Sequence, residues 1–376
     1  LILLALAVFA YLLSGCISSV PKGRSFVEAE RLFHQEPRWL GGDGVLSIPL
    51  SNDRILWLFG DSFISTSNAH VRTEAKLVRN SVAIQKGRDS RTASVSFMWR
   101  HGPDGSPSSF FPGHGERFYW PGHGIRIDKG PLVIFLYALV DTQGRGLGFS
   151  PVGYALAVIP NPDEPLRAWK MNIINAKADP FDAVPATAVM EDNGYIIAVA
   201  IRQQGTHAGA LVRYPAADLA RGDVTTAAWW AGEVRGWVPA SLLGKDGPMF
   251  VLDDAGSECS IHWDSRTGSF IHVASYGFGA TEIGLRTAPA LTGPWSSPVV
   301  VYRPPESDGP RPFVYAAKAH PELAGPAPGD LVVTYATNSF EFGDLLTEQG
   351  QKTLYWPRFV AVRVENSIMG RLPLEQ

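Results

Sequence analysis

Three acidic residues stand where chemistry could be done. Asp43 lies in Leu40-Gly41-Gly42-Asp43-Gly44, and Asp61, 18 residues further on, lies in Leu58-Phe59-Gly60-Asp61-Ser62-Phe63. The third, Glu258, sits in Ser257-Glu258-Cys259-Ser260-Ile261. Glycine beside each Asp marks a turn, so each carboxylate stands at the end of an apolar run. Two carboxylates in one cleft push their pKa values apart, and one then keeps its proton near neutral pH. General acid–base catalysis needs that division, and glycoside cleavage usually draws it from a carboxyl pair. Taken singly, each acid has a plainer reading. Asp43 is a turn residue between glycines, Asp61 a turn cap, and Glu258 an ion-pair partner across a central channel. The catalytic reading rests on all three meeting in one place.

The elements that would bring them together are strands. Of 376 residues, 45% are hydrophobic, 11% aromatic and only 18% charged, with 38 Gly and 29 Pro. That composition offsets the entropy of ordering and favours many short strands and turns over disorder. Five apolar runs recur at roughly 60- to 80-residue spacing: Ile55–Phe59, Leu132–Leu139, Tyr195–Ile201, Ser269–Tyr276 and Asp330–Ala336. A shorter strand precedes each (Gly44–Leu50, Gly122–Ile127, Ala186–Met190, Glu258–Trp263, Tyr315–Ala319). A third follows each (Asn80–Ile84, Gly153–Ile159, Ala210–Tyr214, Glu282–Thr287, Arg358–Val364). Four units carry an outer strand: Val95–Arg100, Trp169–Ile174, Ala227–Gly232 and Pro298–Arg303. The fifth lacks one, and Ser25–Phe33 is expected to supply it. Five four-stranded units predict an all-β, five-bladed β-propeller whose N-terminal strand closes the last blade. A pair of β-sandwiches is the structural alternative. Helical patterns are confined to Pro215–Arg221 and Phe340–Gly350.

In an up-and-down blade, the start of the innermost strand and the end of the second open on the same face. That rule gathers Asp43, Asp61 and Asn80 from the first unit, with His123 and Asp141 from the second. Arg202 and Gln203 come from the third unit, Glu258 and Tyr276 from the fourth, and Tyr315, Lys318 and Asn338 from the fifth. Trp120, in Arg117–Gly122, offers a ring for stacking. His320 and Arg358 complete the expected binding set, although a lone His on a strand is more often a hydrogen-bonded core residue. Carboxylates for chemistry, amides for hydroxyls and aromatic faces for C–H surfaces are the mixture a sugar-binding cleft uses.

Other functions are disfavoured. With 33 Lys+Arg against 36 Asp+Glu the formal charge is −3, the wrong balance for a nucleic-acid binder. No phosphate loop, nucleophilic-serine motif or paired-histidine spacing is present, so no cofactor or metal is expected, and a monomer is. Of two cysteines, Cys259 is expected to be a small buried hydrophobe. The other, Cys16, follows the apolar run Leu1–Leu13 in Leu13-Ser14-Gly15-Cys16. A run of 13 residues is too short to span a bilayer, and the sequence resembles a bacterial lipobox. Residues 1–15 are therefore expected to be part of a signal peptide and Cys16 the acylated residue. Residues 16–38 would form an anchored segment, 39–366 the propeller and 367–376 a tail. Ile17 after the Cys favours the outer membrane, which would make the protein a cell-envelope lipoprotein.

The ordered motifs resemble the bacterial endo-D-arabinanase family. The resemblance is carried by the Asp43 and Asp61 elements with Arg79-Asn80-Ser81-Val82, and by Ser257–Ile261. Thr287-Ala288-Pro289 with Gly293-Pro294-Trp295-Ser296, Ala319–Leu323 and Tyr355-Trp356-Pro357-Arg358-Phe359 extend it. It runs from about Trp39 to Val364 and implies a five-bladed propeller with Asp43 and Asp61 as the catalytic carboxylates. Glu258 would be a third acid. It also implies a polysaccharide substrate, D-arabinan or a related furanose polymer of the envelope. Ser62, where the family more often has Thr, and the long Lys86–Gly115 stretch depart from its pattern. A non-catalytic glycan-binding or scaffolding lipoprotein is the competing expectation.

Overall fold

A computed structural model describes residues 22–144, 148–176, 181–277 and 281–364. The lipobox, Cys16 and the C-terminal tail lie outside the described residues. The chain is nearly all-β, and its few helices are short.

Five antiparallel sheets carry the expected units. The first orders Leu46–Pro49, Arg54–Phe59, Ser81–Lys86 and Ser94–Met98; the second orders Arg117–Arg126, Leu132–Asp141, Phe149–Ile159 and Asn172–Asn175. The third is built on Val189–Asp192, Tyr195–Arg202, Gly209–Pro215 and Ala228–Trp230, with three short strands added. The fourth orders Cys259–Asp264, Ser269–Tyr276, Glu282–Ala288 and Val299–Tyr302. The fifth orders Pro312–Ala319, Asp330–Ser339, Arg358–Arg363 and, from the other end of the chain, Gly23–Ser25.

The second strand of each sheet is a near-continuous apolar run because both of its faces are covered. Leu46, Leu56, Tyr119 and Leu136 share one core between the first and second sheets. Phe135, Leu156, Ile196 and Val212 join the second to the third. Val199, Leu211, Ile261 and Ala274 join the third to the fourth, and Val273, Leu285, Val333 and Val360 the fourth to the fifth. Trp57, Phe59, Val332 and Phe359 then join the fifth back to the first. The succession of cores is cyclic, although among the described residues no sheet closes on itself.

The N-terminal segment corrects one expectation. A strand does complete the fifth sheet, with Gly23 opposite Val362 and Ser25 opposite Val360, but it is Gly23–Ser25 and not Ser25–Phe33. From Val27 the chain forms a helical turn, Val27–Glu30, and a 3-10 turn, Arg31–His34. The reason is spacing: Phe26, Ala29, Leu32 and Phe33 are all buried, a three-to-four-residue period that suits a helix and not a strand.

Two further elements matter for the site. Trp39–Gly42, just before the first strand of the first sheet, pairs with Ser62–Ser65 and Ala75–Val78, from the connection between that sheet's second and third strands, in a separate three-stranded sheet. Helices Phe342–Leu346 and Glu348–Thr353 occupy the connection that precedes Arg358.

Candidate active site

The two aspartates sit on facing turns tied by main-chain hydrogen bonds. The Asp43 N–H donates to the Asp61 carbonyl at 3.3 Å, and the Gly60 N–H donates to the Asp43 carbonyl at 2.9 Å. Glycine is needed at 60 because a Cβ there would lie 2.4 Å from Asp43 Oδ1. On its other side the chain leaves through Gly44 and Val45, both with left-handed φ (78° and 51°).

Each carboxylate has its own donors. The Tyr315 hydroxyl donates to Asp43 Oδ2 at 2.7 Å, and the Tyr355 hydroxyl is a second hydrogen-bonding neighbour of Asp43. The Trp120 indole N–H donates to Asp61 Oδ1 at 2.8 Å, and an Arg79 nitrogen lies 3.3 Å from Asp61 Oδ2. Glu258 pairs with Lys318 at 3.3 Å, and Lys318 also donates to the Gly44 carbonyl. A β-bulge makes this possible. Pairing slips between Tyr315 and Lys318, with Ala316 at φ 59°, and the extra residue lets both side chains reach the Asp43–Gly44 turn.

Burial, the charge of Asp61 and the charge of Glu258 raise the Asp43 pKa to about 7 against the pull of the two tyrosines. Asp61 is also raised, by burial, but Trp120 and Arg79 oppose the shift. Asp61 therefore ionises first and Asp43 holds the proton of the pair into the neutral range. The surroundings of the pair thus favour a protonated Asp43 beside an ionised, donor-stabilised Asp61.

Other expected site residues fall in three places. Asp141 is exposed and lies 3.8 Å from Arg79, at the edge of the cluster, and the Asn338 side chain is a hydrogen-bonding neighbour of Tyr315. Beneath the cluster, Asn80 is fully buried and spends its amide on the backbone of Phe111 and Tyr119. The His123 ring accepts from the Val189 N–H at 3.0 Å and donates to the Ser47 carbonyl at 3.2 Å; burial brings its pKa down to about 4. His320 is buried between Ser47 and Thr334 at 2.5 and 2.6 Å. The remaining three have partners of their own. Arg202 stacks over Phe250 at 4.0 Å, Tyr276 bonds to Arg286 at 3.1 Å, and Arg358 pairs with Glu30 and Glu306 at 2.8 and 3.2 Å.

Several neighbours were not anticipated as site residues: Arg79, Tyr355 and a set of phenylalanines. Phe149 packs on Trp120 at 4.5 Å, and Arg79 lies 4.2 Å over Phe118. Beyond Tyr315, Phe313 follows at 5.5 Å and Phe340 at 4.7 Å from Phe313. Phe340 and its neighbour Phe342 are 52% and 55% exposed. A sequence signal existed for Arg79, in Arg79-Asn80-Ser81-Val82, and for Tyr355, in Tyr355-Trp356-Pro357, but not for the phenylalanines. Cys259 is buried, and burial pushes its thiol up to about 12, which suits a packing residue and not a nucleophile.

Residues 28–366 match the family described as a domain of unknown function, DUF5005. The chain belongs to this family. Its description assigns no activity, and no curated protein matches the chain. Among solved structures, a "putative hydrolase" from Bacteroides ovatus shares the fold, with a TM-score of 0.73 at 19% identity over 94% of this chain and 93% of that one. A protein of unknown function from Dyadobacter fermentans is more distant, at TM-score 0.49 and 12% identity over 89% and 97% of the two chains. An exo-beta-1,3-galactanase from Phanerochaete chrysosporium gives 0.47 and 11% over 85% and 60%.

Proposed function

We propose that this DUF5005 protein is a glycoside hydrolase on a five-bladed β-propeller, with Asp43 as proton donor and Asp61 as its ionised partner. The observation that carries the reading is the Asp43–Asp61 pair itself. Two facing turns hold the acids together, burial and the Asp61 charge keep the proton on Asp43, and Trp120 and Arg79 stabilise the charge on Asp61. A protonated and an ionised carboxyl group in one cleft are the minimum equipment for cleaving a glycosidic bond. Protonation of the leaving oxygen by Asp43 would complement charge developing on the sugar ring, next to Asp61. Glu258, held by Lys318, adds negative potential that favours the protonated form of Asp43. The cyclic succession of five cores supports the propeller.

Aromatic walls on both sides of the pair support a carbohydrate. Trp120 and Phe149 stand beside Asp61, and Tyr315, Phe313 and Phe340 lead away from Asp43. Such rings cover the C–H faces of sugars while carboxylates and Arg79 meet hydroxyls. The motif resemblance supports a furanose-containing polysaccharide, D-arabinan or a related envelope polymer. Incubation of a soluble fragment starting at Ser18 with D-arabinan, arabinogalactan and bacterial exopolysaccharides, followed by product sizing, tests the reading. Shortened chains are expected, and none with Asp43→Asn. Binding without cleavage by the native protein would instead identify a glycan-binding module.

We further propose that Cys16 carries a lipid that holds the protein in the cell envelope, on the support of the lipobox sequence. Cys16→Ser is expected to move the protein into the soluble fraction or leave an unprocessed precursor. A processed mutant that stays membrane-bound would rule the anchor out.

A further inference from the structure

Arg72 is 2% exposed and lies on the turn between strands Ser62–Ser65 and Ala75–Val78. Its guanidinium donates to four main-chain carbonyls: Leu40 at 2.9 Å, Leu345 at 3.1 Å, Gly350 at 3.3 Å and Leu354 at 2.7 Å. No carboxylate is among these acceptors. Its own N–H donates to Gln351 Oε1 at 2.9 Å. A buried cation answered by carbonyl dipoles and the rings of Phe63 and Trp356, at 5.3 and 5.7 Å, with no carboxylate, is a costly way to staple a loop, so the segments it joins are informative. Leu40 is three residues before Asp43, and Leu354 is one residue before Tyr355.

Those two segments also touch backbone to backbone. A Cβ on Gly41, which has φ 117°, would lie 2.2 Å from the Tyr355 carbonyl oxygen. Tyr355 itself has φ 64°, a left-handed conformation that an aromatic residue keeps only where its surroundings enforce it. Its N–H is held by Thr337, at 3.1 Å to the carbonyl, and its hydroxyl is one of two tyrosine hydroxyls serving Asp43. Only a planar guanidinium offers five N–H groups in a fixed fork. That is what it takes to reach the Asp43 strand, the Tyr355 turn and both helices between them.

We propose that Arg72 is a positioning residue for the acid centre: it clamps the Asp43 strand against the Tyr355 turn and so keeps the Tyr355 hydroxyl on Asp43. Arg72 does not touch Asp43. The groups that face Asp43 are Asp61, Glu258, Tyr315 and Tyr355, with Lys318 at the adjoining Gly44 carbonyl. Loosening the clamp removes one donor to the ionised carboxylate and leaves the acidic neighbours in place. Asp43 then holds its proton to higher pH.

The test follows the titration of Asp43 in protein carrying ¹³C-labelled aspartate carboxyls, with Asp43→Asn used to assign the signal. It needs no substrate, so its outcome is separate from that of the hydrolase reading. Tyr355→Phe is expected to move the Asp43 midpoint up by about one pH unit, the size of one lost hydrogen bond to a carboxylate. Arg72→Lys, which keeps the charge but loses the fork, is expected to move it in the same direction by a similar amount. The double variant is expected to move it no further. A staple with a purely structural role would lower the melting temperature and leave the midpoint where it was. An unmoved midpoint in either Tyr355→Phe or folded Arg72→Lys overturns the proposal. If Arg72→Lys does not fold, Gly41→Ala carries the test, because its Cβ would lie 2.2 Å from the Tyr355 carbonyl oxygen and part the same two segments. An unmoved midpoint there, beside a moved one in Tyr355→Phe, also overturns it.

Discussion

The main-chain N–H of Asp43 donates to the carbonyl of Asp61 at 3.3 Å, so the two acids are joined through their backbones before either side chain is placed. The returning bond from Gly60 to the Asp43 carbonyl makes the connection reciprocal. The two carboxylates are thus mounted on main-chain segments in direct contact. Their unequal donors, tyrosines on one and Trp120 with Arg79 on the other, then decide which holds the proton.

Asp43→Asn and Asp61→Asn keep size and most hydrogen bonding but remove the titrating proton. Each is expected to lower kcat by about 10²-fold or more on a polysaccharide the native protein cleaves, the usual scale of general acid–base contributions. Glu258→Gln separates two roles: a comparable kcat loss makes it a third catalytic acid, and a rise in KM alone makes it a binding residue. Near-native turnover in both Asp variants would remove the assignment.

The pH profile of kcat/KM is expected to fall as pH rises through about 7, because the acid must be protonated and Asp43 loses its proton there. The Tyr315 hydroxyl favours the ionised form of Asp43. Tyr315→Phe should therefore shift the falling limb to higher pH, while replacing a residue outside the cluster, such as Arg202→Lys, leaves it in place. A limb that moves down, or stays, in Tyr315→Phe would show that another group controls it.

Asp43 also makes a prediction about stability. Its folded pKa, about 7, lies above the ordinary aspartate value of 3.8, so between those values the folded state binds a proton that the unfolded chain releases. Linkage then makes its contribution greatest at low pH and progressively lost as pH rises from about 4 to 7. Asp43→Asn mimics the protonated form, so it should be more stable than the native protein at pH 8, by roughly 1–3 kcal/mol. The difference should shrink at pH 5. Thermal melts at the two pH values check this, and equal destabilisation at both would favour a turn-capping role for Asp43.

Gly23–Ser25 covers the edge of the fifth sheet, and Arg24 anchors it to Asp330 at 2.6 Å. A Cβ at Gly23 would lie 2.7 Å from Val360 Cγ1, so the strand is closely fitted. Truncation to Phe26 should expose the row of N–H and C=O groups on Arg358–Arg363 and promote aggregation. Sedimentation and light scattering measure it. A truncated protein that stays monomeric with an unchanged melting temperature would show that the strand contributes nothing to closure.

Strand order and the Asp43–Asp61 pair could be read from the sequence because their causes are local. Runs such as Leu132–Leu139 are apolar on both faces, and Gly-Asp turns announce where such runs stop; neither depends on distant residues. Local pattern misleads at Ser25–Phe33, where the alternation that suggests a strand gives way to a helical spacing of buried side chains. It could not sort the binding set either. His320 and Asn80 look like ligands in a linear motif, but packing turns them inward to Ser47, Thr334 and the backbone of Phe111. Arg358 turns to Glu30, 328 residues away in the chain. Tyr355 and Arg72 acquire their roles only when segments more than 270 residues apart meet. Arg and Tyr are common on any surface, and their donors take on meaning only from the acceptors that the fold brings to them. The sequence alone determined the strands, the turns and the acids; the tertiary structure decided which acid keeps the proton, because burial and donors are properties of the assembled cleft.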